Sequence, residues 1–159
     1  MQQTPTTTNA AATNPGAASQ QPSEQQRATL MKLSDSGLVL ADPAADVRGR
    51  KVLDQNGDEI GEVDDLFIDD DEAKVRFLRI KSGGFLGLGA TTFLVPVDAV
   101  VRANDAVHIN QSRERVAGAP RYDPQLANEP DYYGSVYSHY GVAPYWGAGY
   151  MYPTYPYFV

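Results

Sequence analysis

The chain has 159 residues, of which 42% are hydrophobic, so it has room for one modest domain. Its 20 acidic residues outnumber 13 Lys and Arg, and the net charge of −7 disfavours nucleic-acid binding, because phosphate neutralisation needs a basic face. The absence of Cys excludes disulfides, thiol nucleophiles and iron–sulfur clusters, and with two His a zinc site would need both of them plus carboxylates.

The N-terminal part of the chain is polar and uncharged. Its first 23 residues are rich in Thr, Gln, Asn, Ala and Pro, and they lack the basic start and apolar run of a secretory signal. Such a segment cannot bury enough apolar surface to offset its ordering entropy. We therefore expect a disordered leader over residues 1–34. No run of residues approaches a membrane-spanning length, and a cytoplasmic location is the default expectation.

Short apolar runs separated by turn residues begin after the leader, and they predict β-strands. Asn56-Gly57 predicts a hairpin, because both residues tolerate the positive φ of a tight turn. A second hairpin loop is predicted at residues 69–72, and a single helical turn at residues 98–101. Strands are predicted at residues 51–53, 59–68, 74–81, 92–97 and 106–109.

These strands predict an all-β fold, a small antiparallel β-barrel over residues 35–115. A sheet this short, without a predicted layer of helices, satisfies its edges best by closing. Residues 116–159 are then a linker and a Tyr-rich tail, and both ends of the chain are expected to be disordered. The residues expected at structural turns are Asn56, Gly57, Gly61, Gly84, Gly87 and Pro96.

The predicted strands also carry a family resemblance. A similarity to the start of PRC-barrel domains lies in DVRGRKV at 46–52, NG at 56–57, IG at 60–61 and VDDL at 63–66. The segment GGFLGLG at 83–89, followed by LVPV at 94–97, resembles that family's later glycine loop and Val-Pro strand. The resemblance covers roughly half of the chain. It implies a six-stranded or similar small barrel that docks to other proteins without catalysis.

Related barrels form the cytoplasmic domain of the photosynthetic reaction-centre H subunit and the C-terminal domain of a ribosome-maturation factor. The leader and the Tyr-rich tail make this chain similar to stand-alone bacterial members of the family. We expect neither the H subunit's membrane anchor nor the maturation factor's other domain here, so neither specific function transfers. An accessory role in a photosynthetic, membrane or ribosome-related complex stays open as an alternative by family analogy.

The acidic loop is the candidate for a second function. Asp69, Asp70, Asp71 and Glu72 leave open a divalent-cation-responsive module, because hard cations prefer carboxylate oxygens. We favour a solvated loop that keeps a small barrel soluble, since no spacing here fixes a coordination shell. No metal site and no cofactor are therefore predicted.

The residues that could support catalysis do not form a recognisable site. His108 is expected to face outward from its strand, and no Ser or Asp pattern places a nucleophile and an orienting acid beside it. The glycine loop lacks the following helix and the lysine of a phosphate-binding loop. No catalytic residue is predicted.

Aromatic residues are concentrated at the C-terminus. Nine of the ten Tyr follow residue 131, and no Lys or Arg follows residue 124, which disfavours a nucleic-acid ligand. Tyr buries a large ring but keeps a polar hydroxyl, so the tail is either a disordered end that folds back on the barrel or an adhesive arm. Because stretches of the tail lack Leu and Ile, an amphipathic helix is not expected.

The sequence thus predicts a non-catalytic adaptor or assembly module that docks its barrel surface and aromatic tail to a protein partner or to another copy of itself. On this view, removing residues 132–159 leaves the melting of the barrel nearly unchanged. The residues predicted to bind partners are Phe85, Leu86 and Leu88 in the glycine loop, with Tyr132, Tyr133, Tyr137, Tyr140, Tyr145, Trp146 and Tyr150 in the tail.

Overall fold

A computed structural model describes residues 30–40, 42–83, 90–126 and 129–156, which are mainly β-structure with short helices. The strands are β1 (Leu30–Lys32), β2 (Lys51–Leu53), β3 (Glu59–Asp69), β4 (Val75–Gly83), β5 (Ala90–Pro96), β6 (Val100–Ala103) and β7 (Val107–Ile109). The helices are α1 (Leu33–Ser36), α2 (Arg113–Ala117) and α3 (Pro130–Tyr140), with 3-10 turns at Pro43–Ala45, Val97–Ala99 and Pro124–Leu126. No helix in these described ranges is long and apolar enough to cross a membrane.

The strands form one sheet in the order β5-β4-β3-β2-β7-β6. β3 is long enough to pair with β2 at its start and with β1 at its end, and the β2–β7 pair is parallel. No ladder joins β5 to β6 among the described residues, so the sheet is not closed. The predictions of a closed barrel and of a purely β fold are therefore wrong. The outer side of β5 is met instead by Arg121, which forms a bridge with Phe93, and helices contribute to the core.

The predicted Asn-Gly hairpin is confirmed between β2 and β3. Gly57 has a φ of 87°, and its amide donates a hydrogen bond of 3.0 Å to the carbonyl of Asp54. The carboxylate of Asp54 accepts from the amides of Asn56 at 2.8 Å and Asp58 at 2.9 Å. A side chain that bonds the backbone of its own turn is the usual means by which Asp stabilises a loop.

Two further predicted turn residues have different positions. Gly61 lies inside β3 rather than in a turn, and a Cβ added there would lie 2.6 Å from the carbonyl oxygen of Lys81, so glycine is required by the close approach of β4. Pro96 is the last residue of β5, and the 3-10 turn that follows it corresponds to the predicted helical turn. Gly84 and Gly87 lie outside the described residues.

The Tyr-rich C-terminal residues form a helix and pack against the sheet. α3 ends at Gly141, which has a φ of 69° and donates to the carbonyl of Ser138. Tyr133 and Tyr137 place their ring centroids 5.5 Å and 4.8 Å from that of Phe77 in β4. The predictions of a disordered tail and of no amphipathic helix are wrong for this segment, because its rings form the apolar face that Leu and Ile usually form. The buried residues of α3 are Tyr132, Tyr133, Val136, Tyr137 and Tyr140.

Candidate functional site

A buried ion pair lies beneath the C-terminal aromatic residues. Arg76 in β4 donates from Nε to Oδ2 of Asp69 at 2.7 Å, and the two side chains are only 4% and 1% exposed. Asp69 is the last residue of β3, and its carboxylate also accepts from the backbone amides of Glu72 and Lys74 in the hairpin loop. Because every polar contact lowers the cost of burying a charge, this pair is tolerated inside the fold.

Three tyrosine rings surround the guanidinium of Arg76. The ring centroids of Tyr145, Tyr152 and Tyr150 lie 4.4, 5.3 and 5.9 Å from its central carbon. Distances below about 6 Å allow attraction between a cation and the face of an aromatic ring. The residues after α3 are therefore held to the sheet by the same arginine that neutralises Asp69. We call residues 129–156 the aromatic segment.

Tyrosine hydroxyls provide further contacts between the aromatic segment and the rest of the chain. Tyr152 donates to the carbonyl of Val75 at 2.9 Å, and Tyr155 donates to the carbonyl of Ala45 at 2.5 Å. Tyr150 donates to Asp98 Oδ2 at 2.6 Å. Burial raises the pKa of the Asp98 carboxyl, although the Tyr150 hydrogen bond opposes this shift. These bonds fix the course of the segment over three separate parts of the fold.

The tail residues predicted to bind partners are thus largely occupied within the chain itself. Tyr132, Tyr133, Tyr137 and Tyr140 are buried, whereas Tyr145, Trp146 and Tyr150 are half-buried. Their binding of partners stays a prediction, and it would require the rings to leave the sheet. Removal of residues 132–159 would uncover core residues such as Phe77, so we now expect it to lower stability. Phe85, Leu86 and Leu88 lie outside the described residues.

The acidic hairpin loop is used structurally rather than arranged around a cation. Asp69 is paired with Arg76, and Glu72 contacts Lys74 Nζ at 2.8 Å and Arg76 Nη2 at 3.4 Å. Within the part of the chain that the structure describes, no group of three His or acidic side chains is arranged to hold a metal ion. The geometry therefore gives no support to a cation-responsive module.

A groove lies at the end of the sheet that β7 and β6 form. We call it the β6–β7 groove; its volume is about 670 Å³. It forms because β2 and β7 are parallel neighbours, which brings the β2–β3 hairpin loop beside the end of β7, where the Gln55 amide donates to the carbonyl of Gln111 at 3.0 Å. The residues that line it are Asp54, Gln55, Asn56, Gly57, Val101, Arg102, His108, Ile109 and Asn110.

Strand β6 presents two side chains to the solvent at this groove. The pairing of β6 with β7 is irregular between Val100 and Arg102, and Val101 lies at this irregularity with 47% of its surface exposed. Arg102 is exposed beside it and pairs in register with His108. An irregularity of this kind redirects side chains at a sheet edge, and here it brings a branched apolar residue and a cation together.

The charge that the groove presents is cationic. Arg102 Nη2 lies 3.3 Å from His108 Nε2, and because a guanidinium can only donate, the imidazole nitrogen is the acceptor. Burial lowers the pKa of His108, and the charge of Arg102 lowers it further. The one carboxylate in the lining, that of Asp54, is buried and accepts from backbone amides, including that of Arg113 at 3.3 Å.

Sequence reasoning found only part of this groove. The hairpin residues Asn56 and Gly57 and the half-exposed His108 were accessible from the turn signal and strand alternation. Val101 and Arg102 are not predicted, because the helical turn predicted at residues 98–101 extends over the start of β6, and no predicted strand includes Arg102. The adjacent Val100-Val101 pair was the available β signal.

The part of the chain that forms the sheet matches a known protein family. Residues 41–116 match the family model of the PRC-barrel domain. The chain contains a PRC-barrel domain. The match spans β2 to β7 and ends in α2, so the β6–β7 groove belongs to the PRC-barrel domain and the aromatic segment lies beyond it. The predicted resemblance is confirmed at this level. A search of the curated proteins found no match to the chain.

Proposed function

We propose that the protein is a non-catalytic protein-binding module, which docks its partners at the exposed edge of β6 in the PRC-barrel domain. The observation that carries this proposal is the exposure of Val101 at a sheet edge beside the β6–β7 groove. Such an edge supports an adaptor or assembly role, because a protein that binds others needs surface that its own fold leaves uncovered.

The position of β6 in the sheet supports docking there. β6 is the terminal strand and pairs with β7 on one side, and no strand in the described ranges pairs with its other side. The opposite end of the sheet is partly covered, because the amide of Tyr122 donates to the carbonyl of Thr92 in β5 at 2.9 Å. An uncovered strand edge offers backbone hydrogen bonds to an extended segment of a partner.

The contacts of the titratable side chains favour a non-catalytic role. His108 contacts Arg102, and His139 donates from Nε2 to the carbonyl of Arg115 at 2.6 Å while Arg115 donates back to the carbonyl of His139 at 3.0 Å. Asp64 is bound by Arg79 through two hydrogen bonds of 2.7 and 3.2 Å. These groups hold elements together, which is the ordinary role of such contacts.

Docking is therefore proposed at the PRC-barrel domain and not at the aromatic segment. The rings around Arg76 stabilise the fold, whereas Val101 and Arg102 are exposed. Phe85, Leu86 and Leu88 precede β5 and stay predicted docking residues. A second copy of the chain is one partner that such a surface can take.

Affinity capture with surface variants tests this proposal. Immobilised full-length wild type, Val101→Asp and Leu126→Asp are compared for the proteins they retain from an extract of the native cells. Leu126 is a matched control, because it is an apolar residue of similar exposure, 40%, in the Pro124–Leu126 turn. Circular dichroism and thermal melting establish that each variant is folded.

We expect Val101→Asp to lose proteins that both wild type and Leu126→Asp retain. Self-association is followed for the same three proteins by light scattering, so that a second copy is detected as a partner. Retention of the same proteins by all three, or their loss with Leu126→Asp alone, would contradict docking at β6.

A further inference from the structure

We infer that the β6–β7 groove binds an extended peptide segment that carries acidic side chains, with a carboxylate paired to Arg102. This inference rests on the proposed function and specifies the chemistry of the partner. It follows from the charge of the groove and from the shape of the strand edge beside it.

The charge of the groove differs from that of the chain as a whole. The chain has a net charge of −7, yet the exposed charge in the groove is the guanidinium of Arg102. The carboxylate of Asp54 is turned toward the hairpin amides and the amide of Arg113. Because the rest of the acidic surface repels an anionic partner, attraction is confined to this groove, which favours orientation of that partner at this edge.

Arg102 has donors for a carboxylate as well as for His108. A guanidinium carries five N–H groups in a planar fork, and the contact with His108 Nε2 at 3.3 Å uses one of them. Two parallel N–H donors match the two oxygens of a carboxylate. The neutral imidazole of His108 beside the guanidinium holds it at the groove without neutralising its charge.

A second guanidinium lies at the far end of β6. Arg50 donates from Nη1 to the carbonyl of Asn104 at 2.7 Å, directly after the last residue of the strand. A segment running along β6 therefore meets a cation at Arg102 and another near Asn104.

An extended peptide suits this surface better than a nucleic acid. Val101 in the groove lining offers an apolar contact for one side chain of an extended segment, and the edge of β6 that no described strand covers lies beside the groove. Nucleic acids are held through several phosphate contacts along a basic face, whereas this surface presents the guanidinium groups of Arg102 and Arg50, which suit one or two carboxylates. We therefore assign the groove to an acidic peptide segment and treat an oligonucleotide as an outcome of the test.

Binding of short synthetic peptides to the full-length chain tests the inference. The probe is a fluorescent peptide of alternating Val and Glu, compared with peptides in which every Glu is Gln or Lys. The variants are Arg102→Gln and Lys81→Gln, which change the net charge equally; Lys81 is an exposed residue of β4 outside the groove lining. Anisotropy gives the affinity, and the nuclear magnetic resonance signals of His108 and of the β6 amides give the location.

We expect the Glu peptide to bind and to shift the signals of His108 and β6. Loss of one charge-assisted contact should weaken it about tenfold, both with the Gln peptide and with Arg102→Gln, whereas Lys81→Gln binds as wild type does. Arg102→Glu should exchange the preference, so that the Lys peptide binds better than the Glu peptide. Salt should weaken the Glu peptide more than the Gln peptide.

Three results would overturn the inference: equal affinity for the Glu and Gln peptides, equal weakening by Arg102→Gln and Lys81→Gln, or tighter binding of an oligonucleotide or inorganic phosphate than of the Glu peptide. They are distinguishable from failure of the proposed function. If Val101→Asp abolishes capture of partners but the Glu peptide does not bind, docking at β6 stands and its acidic chemistry is wrong.

Discussion

The ring of Tyr145 lies 4.4 Å from the guanidinium of Arg76, the residue that forms a buried ion pair with Asp69. This contact connects a segment beyond the PRC-barrel domain to the β3–β4 hairpin within it. Tyr, Gly and Pro residues that resemble a flexible tail in composition therefore form a structural layer on the sheet. The docking proposed for this chain then uses the surface that this layer leaves exposed.

The Arg76–Asp69 pair predicts a large effect of removing its cation. Arg76→Met should destabilise the protein by about 3–5 kcal/mol, because it leaves the Asp69 carboxylate buried without its partner. Arg48→Met is the control: Arg48 pairs with Asp46 at the same 2.7 Å, but their side chains are 38% and 32% exposed, and such pairs contribute about 1 kcal/mol or less. Urea unfolding gives both values. Similar losses for the two variants would contradict the structural role of the buried pair.

The close approach of β3 and β4 predicts that Gly61 tolerates no side chain. In Gly61→Ala the new Cβ would lie 2.6 Å from the carbonyl oxygen of Lys81, so the strands must move apart, at a cost of about 1–3 kcal/mol. Gly118→Ala is the matched control, because its Cβ would lie 3.5 Å from the nearest atom, an ordinary contact. Thermal melting of both variants measures the difference. Equal melting temperatures would contradict the close approach of β3 and β4 at Gly61.

The Arg102–His108 contact predicts a change in the titration of the imidazole. Burial and the charge of Arg102 both lower the pKa of His108, so Arg102→Gln, which removes the charge, should raise that pKa. Proton resonances of the imidazole followed against pH measure it, with Lys81→Gln as a variant of equal charge that should leave it unchanged. An unaltered pKa in Arg102→Gln would place the guanidinium away from His108.

The strands could be predicted from the sequence where their signals are local. Asn56-Gly57 identifies the β2–β3 hairpin, because its turn geometry depends on those residues alone. β6 is not predicted, because its local signal is limited to the adjacent Val100-Val101 pair and the rest of the strand depends on pairing with β7. Closure failed as a prediction for the same reason. The outer side of β5 could pair with β6 or with Arg121. The choice depends on contacts between residues that are distant in sequence.

The sequence of α3 does contain the periodicity of a helix. Tyr133, Val136, Tyr137 and Tyr140 recur at the spacing of one helical face, and all are buried. The absence of Leu and Ile concealed this periodicity. The Tyr residues, which form the apolar face in their place, are instead predicted from the sequence to contact partners. That Arg76 lies beneath the following rings could not be predicted, because their meeting depends on tertiary packing.

Alkaline titration of tyrosine absorbance tests most directly whether the aromatic segment is part of the fold. Burial raises the pKa of Tyr132 and Tyr145 to about 12, against an ordinary value of about 10. Burial also raises the pKa of Tyr133, Tyr137, Tyr140, Tyr150, Tyr152 and Tyr155. These tyrosine pKa values are higher in the folded state than in the unfolded state. The protonated rings therefore contribute stability that is fully present below the unfolded-state pKa and is lost as pH rises through the folded-state pKa.

In the full-length chain we predict that most tyrosines ionise well above pH ~10, together with the loss of the circular dichroism of the sheet. A flexible tail predicts the opposite order, because its rings would be solvated. Ionisation of most tyrosines with a pKa near ~10, while the circular dichroism stays unchanged, would contradict the packing of the aromatic segment on the PRC-barrel domain.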